Sequence, residues 1–263
     1  MNPKRLVIAL ILVPLLYGYV MYLSPEYFLF LMTFFSTIGL AEFYAMYRVK
    51  GVLMYSGLFW GAALLFVFFA APALFLQVLM VAVLATMALR LFLKRDPAGS
   101  ISTVSAAVFG LLYVPCLMTF QLSLVKEGAA WIVLLYASVW AADSMAYYVG
   151  KGIGKRKLYP EISPNKTIAG AVGSLIGGIA GAALIKATLL SQISLLQTGI
   201  IGLSVGFSTM IGDLVESMFK RDAGIKDSSH IIPGHGGVLD KLDGVTFAGP
   251  VFYWVCSLLG LVR

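Results

Sequence analysis

The feature that most constrains this chain is its run of apolar segments about 17 residues or longer, the length a helix needs to cross the hydrocarbon core of a bilayer. Nine can be marked off, at 6–23, 27–47, 52–70, 73–91, 103–124, 129–150, 168–185, 199–219 and 245–262. Hydrophobic residues make up 60% of the 263 residues and charged residues 12%, whereas a soluble domain carries about a quarter of its residues charged. A single core of this size cannot hide that much apolar side chain. The only two cysteines, Cys116 and Cys256, lie inside apolar runs, which excludes a disulfide scaffold, and the apolar continuity excludes a disordered tail. The expected fold is all-α, a polytopic integral membrane helical bundle of about nine transmembrane helices.

Lys4 and Arg5 precede the first run as they would in a signal peptide, but Tyr17, Tyr19, Tyr22 and Pro25 stand where a cleavage site would need small residues. A spanning helix is therefore expected there. Only Ala71 and Pro72 separate the third and fourth runs, which fits either a tight hairpin or one interrupted helix. With loops assigned to alternating sides, 16 of the 19 Lys and Arg residues fall on one side. That asymmetry predicts a multi-pass protein of the cell membrane with a cytosolic N-terminus. It also accounts for the net charge of +7 without invoking nucleic acid.

The two halves differ in character. Residues 1–128 hold four acids and short loops, and are expected to be a transmembrane scaffold. Residues 129–263 hold the other eight acids, both histidines and the two longest loops, 151–167 and 220–244. They are expected to be the catalytic region, with those loops cytosolic. Gly173, Gly177 and Gly181 recur at four-residue spacing, with Gly170 and Gly178 beside them. Such a stripe lets helix backbones approach closely. Packing inside one bundle is the expected use, and a homodimer face is the other.

Asp143 and Asp213 each stand seven residues before the expected cytosolic end of a span, roughly 10 Å below the interface at 1.5 Å per residue. Two carboxylates at equal depth, each costing about 2.5 kcal/mol or more to insert, call for a shared polar site. Glu216 lies one turn from Asp213 and pairs by spacing with Lys220. Asp240 and Asp243 form a second pair just after His235-Gly236-Gly237. Such oxygen donors suit Mg²⁺, which takes one or two carboxylates plus substrate phosphates. Zinc is disfavoured, because His230 and His235 lack a third ligand of suitable type and spacing. Lys166-Thr167, at a helix start, is placed to meet a phosphate. It is not a Walker site, since the upstream glycines are missing and no preceding strand is expected.

The segment from Ser217 to Asp243 resembles the signature of the phosphatidate cytidylyltransferases (CDP-diacylglycerol synthases). Over 27 residues every specified position matches but one, with Lys241 standing where the family has arginine. The segments Asp143-x-x-Ala-Tyr-x-x-Gly150 and Ser163-Pro-x-Lys166-Thr167 are similar to family motifs as well. The resemblance implies a membrane enzyme that converts CTP and phosphatidate to CDP-diacylglycerol and pyrophosphate with Mg²⁺; a second cation alongside is a separate expectation, from the way two-metal sites clamp phosphates. By position it implies Asp213 and Asp240 as metal carboxylates, with Asp243 in support. Lys220, Arg221, Lys226 and His235 would line the phosphate site. Ser163, Lys166 and Thr167 would belong to the nucleotide region, with Lys241, Asp143 and Glu216 also facing substrate. Two other readings are a CTP-dependent lipid or polyprenol kinase and a cation-coupled transporter. The second of these would show repeated halves, and none is visible.

Overall fold

The computed structural model describes residues 14–229, 231 and 236–262. Residues 14–22 form α1, and the remainder of the first expected span lies outside the described residues. There follow α2 (Pro25–Met46), α3 (Gly51–Ala70), a 3-10 turn (Pro72–Leu74) running into α4 (Phe75–Leu93), α5 (Ser100–Leu111), α6 (Leu117–Glu127) and α7 (Ala129–Ile153). A two-stranded hairpin, β1 (Lys157–Tyr159) and β2 (Ser163–Thr167), leads into α8 (Ile168–Thr188), α9 (Leu195–Asp222) and α10 (Leu239–Leu258).

Among the described residues, seven helices are long and apolar enough to cross a membrane, where nine runs were expected. The first run is only partly described. α10 begins six residues ahead of the expected span, and it takes Asp240, Lys241 and Asp243 into its opening turns. The short link at Ala71 makes α3 and α4 a packed hairpin rather than one helix. α5 and α6 form one continuous span broken by a π-turn at Leu112–Cys116. Pro115 sits inside that turn, where its missing N–H and its ring would otherwise clash with the helix ladder.

One expectation needs correction: a strand does precede α8. β2 pairs antiparallel with β1, Lys157 opposite Thr167 and Tyr159 opposite Ser163. The turn residues between them allow the loop to fold back, and Ile168 N–H donates to the Arg156 carbonyl at 3.0 Å. The hairpin fixes where the chain enters α8, although the missing upstream glycines still exclude a Walker site.

The glycines of α8 place that helix. A Cβ at Gly173 would lie 2.7 Å from the Met145 carbonyl oxygen, and one at Gly181 2.6 Å from Ser138 Cα, both on α7. Gly177 abuts Ala141 of α7 in the same way. On the opposite face Gly178 meets Gly202 and Gly206 of α9. The stripe is thus used inside the bundle, and α8 is clasped between α7 and α9 at backbone distance.

Candidate active site

Because α8 is so thin, α7 and α9 come close on either side of its N-terminus. That closeness brings Asp143 and Asp213 to one hollow. The residue before α8, Thr167, is buried, and its hydroxyl accepts the Gly170 N–H at 3.1 Å, capping the helix. Gly150, near the end of α7, leaves room for it, since a Cβ there would lie 3.1 Å from the Thr167 hydroxyl.

The hollow measures about 760 Å³ and is lined from α7, the hairpin, α8, α9 and α10. Asp143, Asp213, Asp240 and Asp243 all face it, as do Lys166, Lys220, Lys241 and Ser163. Lys166 Nζ lies 2.7 Å from Asp213 Oδ2, tying the start of α8 to α9. Asp143 and Lys241 are exposed within the hollow, and Asp213 and Asp243 are half-buried. Water therefore reaches acids that the sequence places inside apolar helices. A second hollow of about 400 Å³, between α1, α7 and α8, has no acid or lysine in its wall and offers no chemistry.

At the wall of the hollow, Lys220 joins two helices. Its ammonium lies 2.6 Å from Glu216 Oε2 and 2.6 Å from Asp240 Oδ1. Glu216 is fully buried and reaches the site only through that lysine. The other oxygen of Asp240 accepts from Ser228 N–H (3.1 Å), Ser228 Oγ (3.0 Å) and Gly237 N–H (2.7 Å). Asp240 thus organises the loop before α10 with both of its oxygens.

Other expected residues fall elsewhere. Arg221 donates to the carbonyls of Ile225 (2.9 Å) and Ile162 (3.2 Å), fastening the hairpin turn to the end of α9. Lys226 is exposed and does not line the hollow, whereas its neighbour Asp227 does. His235 and His230 lie outside the described residues. Sequence reasoning passed over Asp227, Asn165 and Lys157, which also line the hollow. It also passed over Glu42, a buried acid of α2 that bonds the loop before α10. The signal for Glu42 was available: a lone carboxylate in an apolar span is a functional candidate wherever it stands.

The donor set fits magnesium. Asp143, Asp213 and Asp243 present only hard carboxylate oxygens to the hollow, and no thiol lines it. Among the described residues no three acidic, histidine or cysteine side chains stand close enough together to hold a metal ion as a cage by themselves. Mg²⁺ needs no such cage when substrate phosphates complete its shell.

The fold and site are those of a bundle of membrane-length helices whose acids and lysines meet around one hollow, and the family match covers nearly the whole chain. Residues 3–259 match the model of the cytidylyltransferase family, to which this chain belongs. Over 232 residues it is 35% identical to the uncharacterized protein YnbB of Escherichia coli, covering 85% of this chain and 78% of that one. It is 35% identical over 183 residues to the phosphatidate cytidylyltransferase of Thermotoga maritima, covering 66% of this chain and 67% of that enzyme. With the phosphatidate cytidylyltransferase of Haemophilus influenzae it shares 46% identity over 132 residues, covering 48% of this chain and 45% of that enzyme. In several such relatives the match spans about half their length.

Proposed function

We propose that this protein joins CTP to phosphatidate, giving CDP-diacylglycerol and pyrophosphate, at a site open to the cytosol. The observation that carries the reading is the hollow itself. Five aspartates and five lysines, from the hairpin, three helices and the loop before α10, face one open space, and Asp143 and Asp213 are drawn together across a glycine-packed helix.

The nucleophile needs no activation by serine or cysteine, because the phosphate of phosphatidate is already anionic. One of its oxygens attacks the α-phosphorus of CTP in line. A new P–O bond forms, the bond between the α-phosphorus and the bridging oxygen breaks, and pyrophosphate departs with that electron pair. The obstacle is repulsion between two polyanions, so positioning and charge neutralisation dominate the catalysis. Lys166, Lys220 and Lys241 supply positive charge from three directions. The N-terminus of α8, beside Lys166, favours an anion through its free N–H groups and dipole.

Bound Mg²⁺ would add charge neutralisation on the triphosphate. Asp213 is the carboxylate best placed to hold it, with Asp143 and Asp243 facing the same space. Asp240, the partner implied by the resemblance, faces the same hollow while also holding Lys220 and the loop before α10. The lipid would reach the hollow from the bilayer while CTP enters from the water side.

The test uses purified protein with phosphatidate, Mg²⁺ and CTP labelled at either the α- or the γ-phosphorus. Label from the α-position in the organic phase supports the transfer. Label from the γ-position would make the protein a lipid kinase, and no label from either would remove the reading.

A further inference from the structure

Glu42 of α2 is the one acid of the N-terminal half that reaches the signature loop in the described structure. It is 4% exposed. Its Oε1 accepts from Val238 N–H at 3.0 Å and Ser229 Oγ at 2.5 Å, and its Oε2 from Leu239 N–H at 2.7 Å and Ser228 Oγ at 3.2 Å. Both carboxylate oxygens are thereby met by the loop or by the start of α10, with the one Ser228 hydroxyl proton shared between Glu42 and Asp240. α10 has no side-chain cap of its own, so Glu42 serves as its cap from almost 200 residues away. A carboxylate is the preferred group at that end of a helix, because the free N–H groups and the dipole are positive there.

The glycine pair of the loop fits the same picture. A Cβ at Gly237 would lie 2.6 Å from Glu42 Oε1 and would collide with the Ser228 hydroxyl. The preceding Gly236 has φ of +84°, a conformation that only glycine adopts freely. The loop is shaped to close over this carboxylate.

We infer that Glu42 is a positioning residue for the transfer. By holding the loop at 228–229 and the first amides of α10, it sets the rotation of that helix and so aims Asp240, Lys241 and Asp243. The inference rests on the proposed activity for its consequence, but the clamp itself can be read without turnover.

The experiment compares the full-length protein with Glu42→Gln, Ser229→Ala and the double variant, in detergent. Glu42→Gln turns one acceptor into a donor facing an N–H. Amide exchange at Val238 and Leu239 should rise on the order of tenfold, while the amides of α7 and α8 keep their protection. kcat/KM should fall by a similar factor, and Ser229→Ala should cause a smaller loss of the same kind. The double variant should lose less than the product of the two single losses, as expected for groups acting through one contact. Unchanged exchange at Val238 and Leu239, or losses that multiply, would overturn the inference. Should Glu42→Gln fail to assemble, Ser229→Ala leaves α2 intact, and unchanged loop exchange there overturns it equally. If the parent protein makes no product at all, the transferase reading fails, and exchange alone decides the clamp.

Discussion

Glycine does opposite work in the two halves of this bundle. Among α2–α6, glycines make room for side chains. A Cβ at Gly110 would lie 2.6 Å from the Tyr44 ring, one at Gly57 would run into the same ring, and one at Gly61 would lie 2.9 Å from Leu40. Tyr44 is fully buried and donates to the Ala107 carbonyl at 2.9 Å. Phe219 of α9 meets Phe43, Phe109 and Tyr113 of this half edge-on, with ring centroids up to 6.2 Å apart. Among α7–α9, glycines make room for backbone. A Cβ at Gly206 would lie 2.5 Å from the Ser174 carbonyl oxygen, and one at Gly202 would press on Ile179 of α8. Side-chain packing can relax by shifting a rotamer, whereas backbone packing can relax only by moving whole helices. The half that must hold acids at fixed separation is therefore the half whose glycine seams are set mainly by backbone contacts.

The largest effect should come from breaking that seam. Gly177→Val would push α8 off Ala141 and Ala142 of α7. Overpacking of this kind costs about 1–3 kcal/mol or more. Parting Asp143 from Asp213 by even about 1 Å should lower transfer roughly a hundredfold. A melting curve in detergent and an α-label assay together read both losses, and wild-type turnover in Gly177→Val would refute the seam's role. Asp213→Asn should cost turnover at least as much but stability far less, because it leaves every glycine seam intact. It should lower turnover on the order of 10²–10³-fold with little change in melting. Retained activity would remove Asp213 from the metal and the hollow from the mechanism. By contrast, Gly57→Ala should cost about 1–2 kcal/mol as the Tyr44 ring moves, with turnover unaltered. If it lowers turnover as much as Gly177→Val does, the distinction between the two halves fails.

The fold was legible in the sequence to the extent that local length and hydropathy decide it. The apolar runs from 27 to 219 all became helices, and the glycine spacing of α8 was read as internal packing. The cues failed where tertiary pairing decides the outcome. The β1–β2 hairpin lies in a polar stretch with Pro160 and Pro164, where no alternation marks a strand; it is held by backbone pairing across the turn, which delivers Lys166 to the start of α8. The site was legible as a set of residue types, since the motif puts lysines and aspartates in order along the chain. Motif order could not show which of them share a partner. Arg221 bonds two carbonyls and Asp240 a lysine and a loop, because a polar side chain bonds what the fold brings nearest in space rather than what stands near it in the chain. Glu42 was missed because its partners lie nearly 200 residues away, and no local pattern records such a contact.

The smallest expected effect concerns Lys241, where the family signature has arginine. In the structure Lys241 is exposed and points its charge into the hollow beside Asp143, and no described salt bridge holds it. Arginine there would keep the charge and add a planar fork able to grip a phosphate through two bonds, whereas lysine acts as a point charge. Because the position belongs to the open wall of the hollow and to neither type of glycine seam, Lys241→Arg should leave melting unchanged. Turnover should stay within about threefold of the parent or rise, since one charge-assisted hydrogen bond more or less is worth about 1 kcal/mol or somewhat above where water competes. A large fall in kcat/KM for CTP would mean that the compact ammonium is fitted to its surroundings. Lys241 would then belong with the backbone-packed half, where small changes of shape cannot be absorbed.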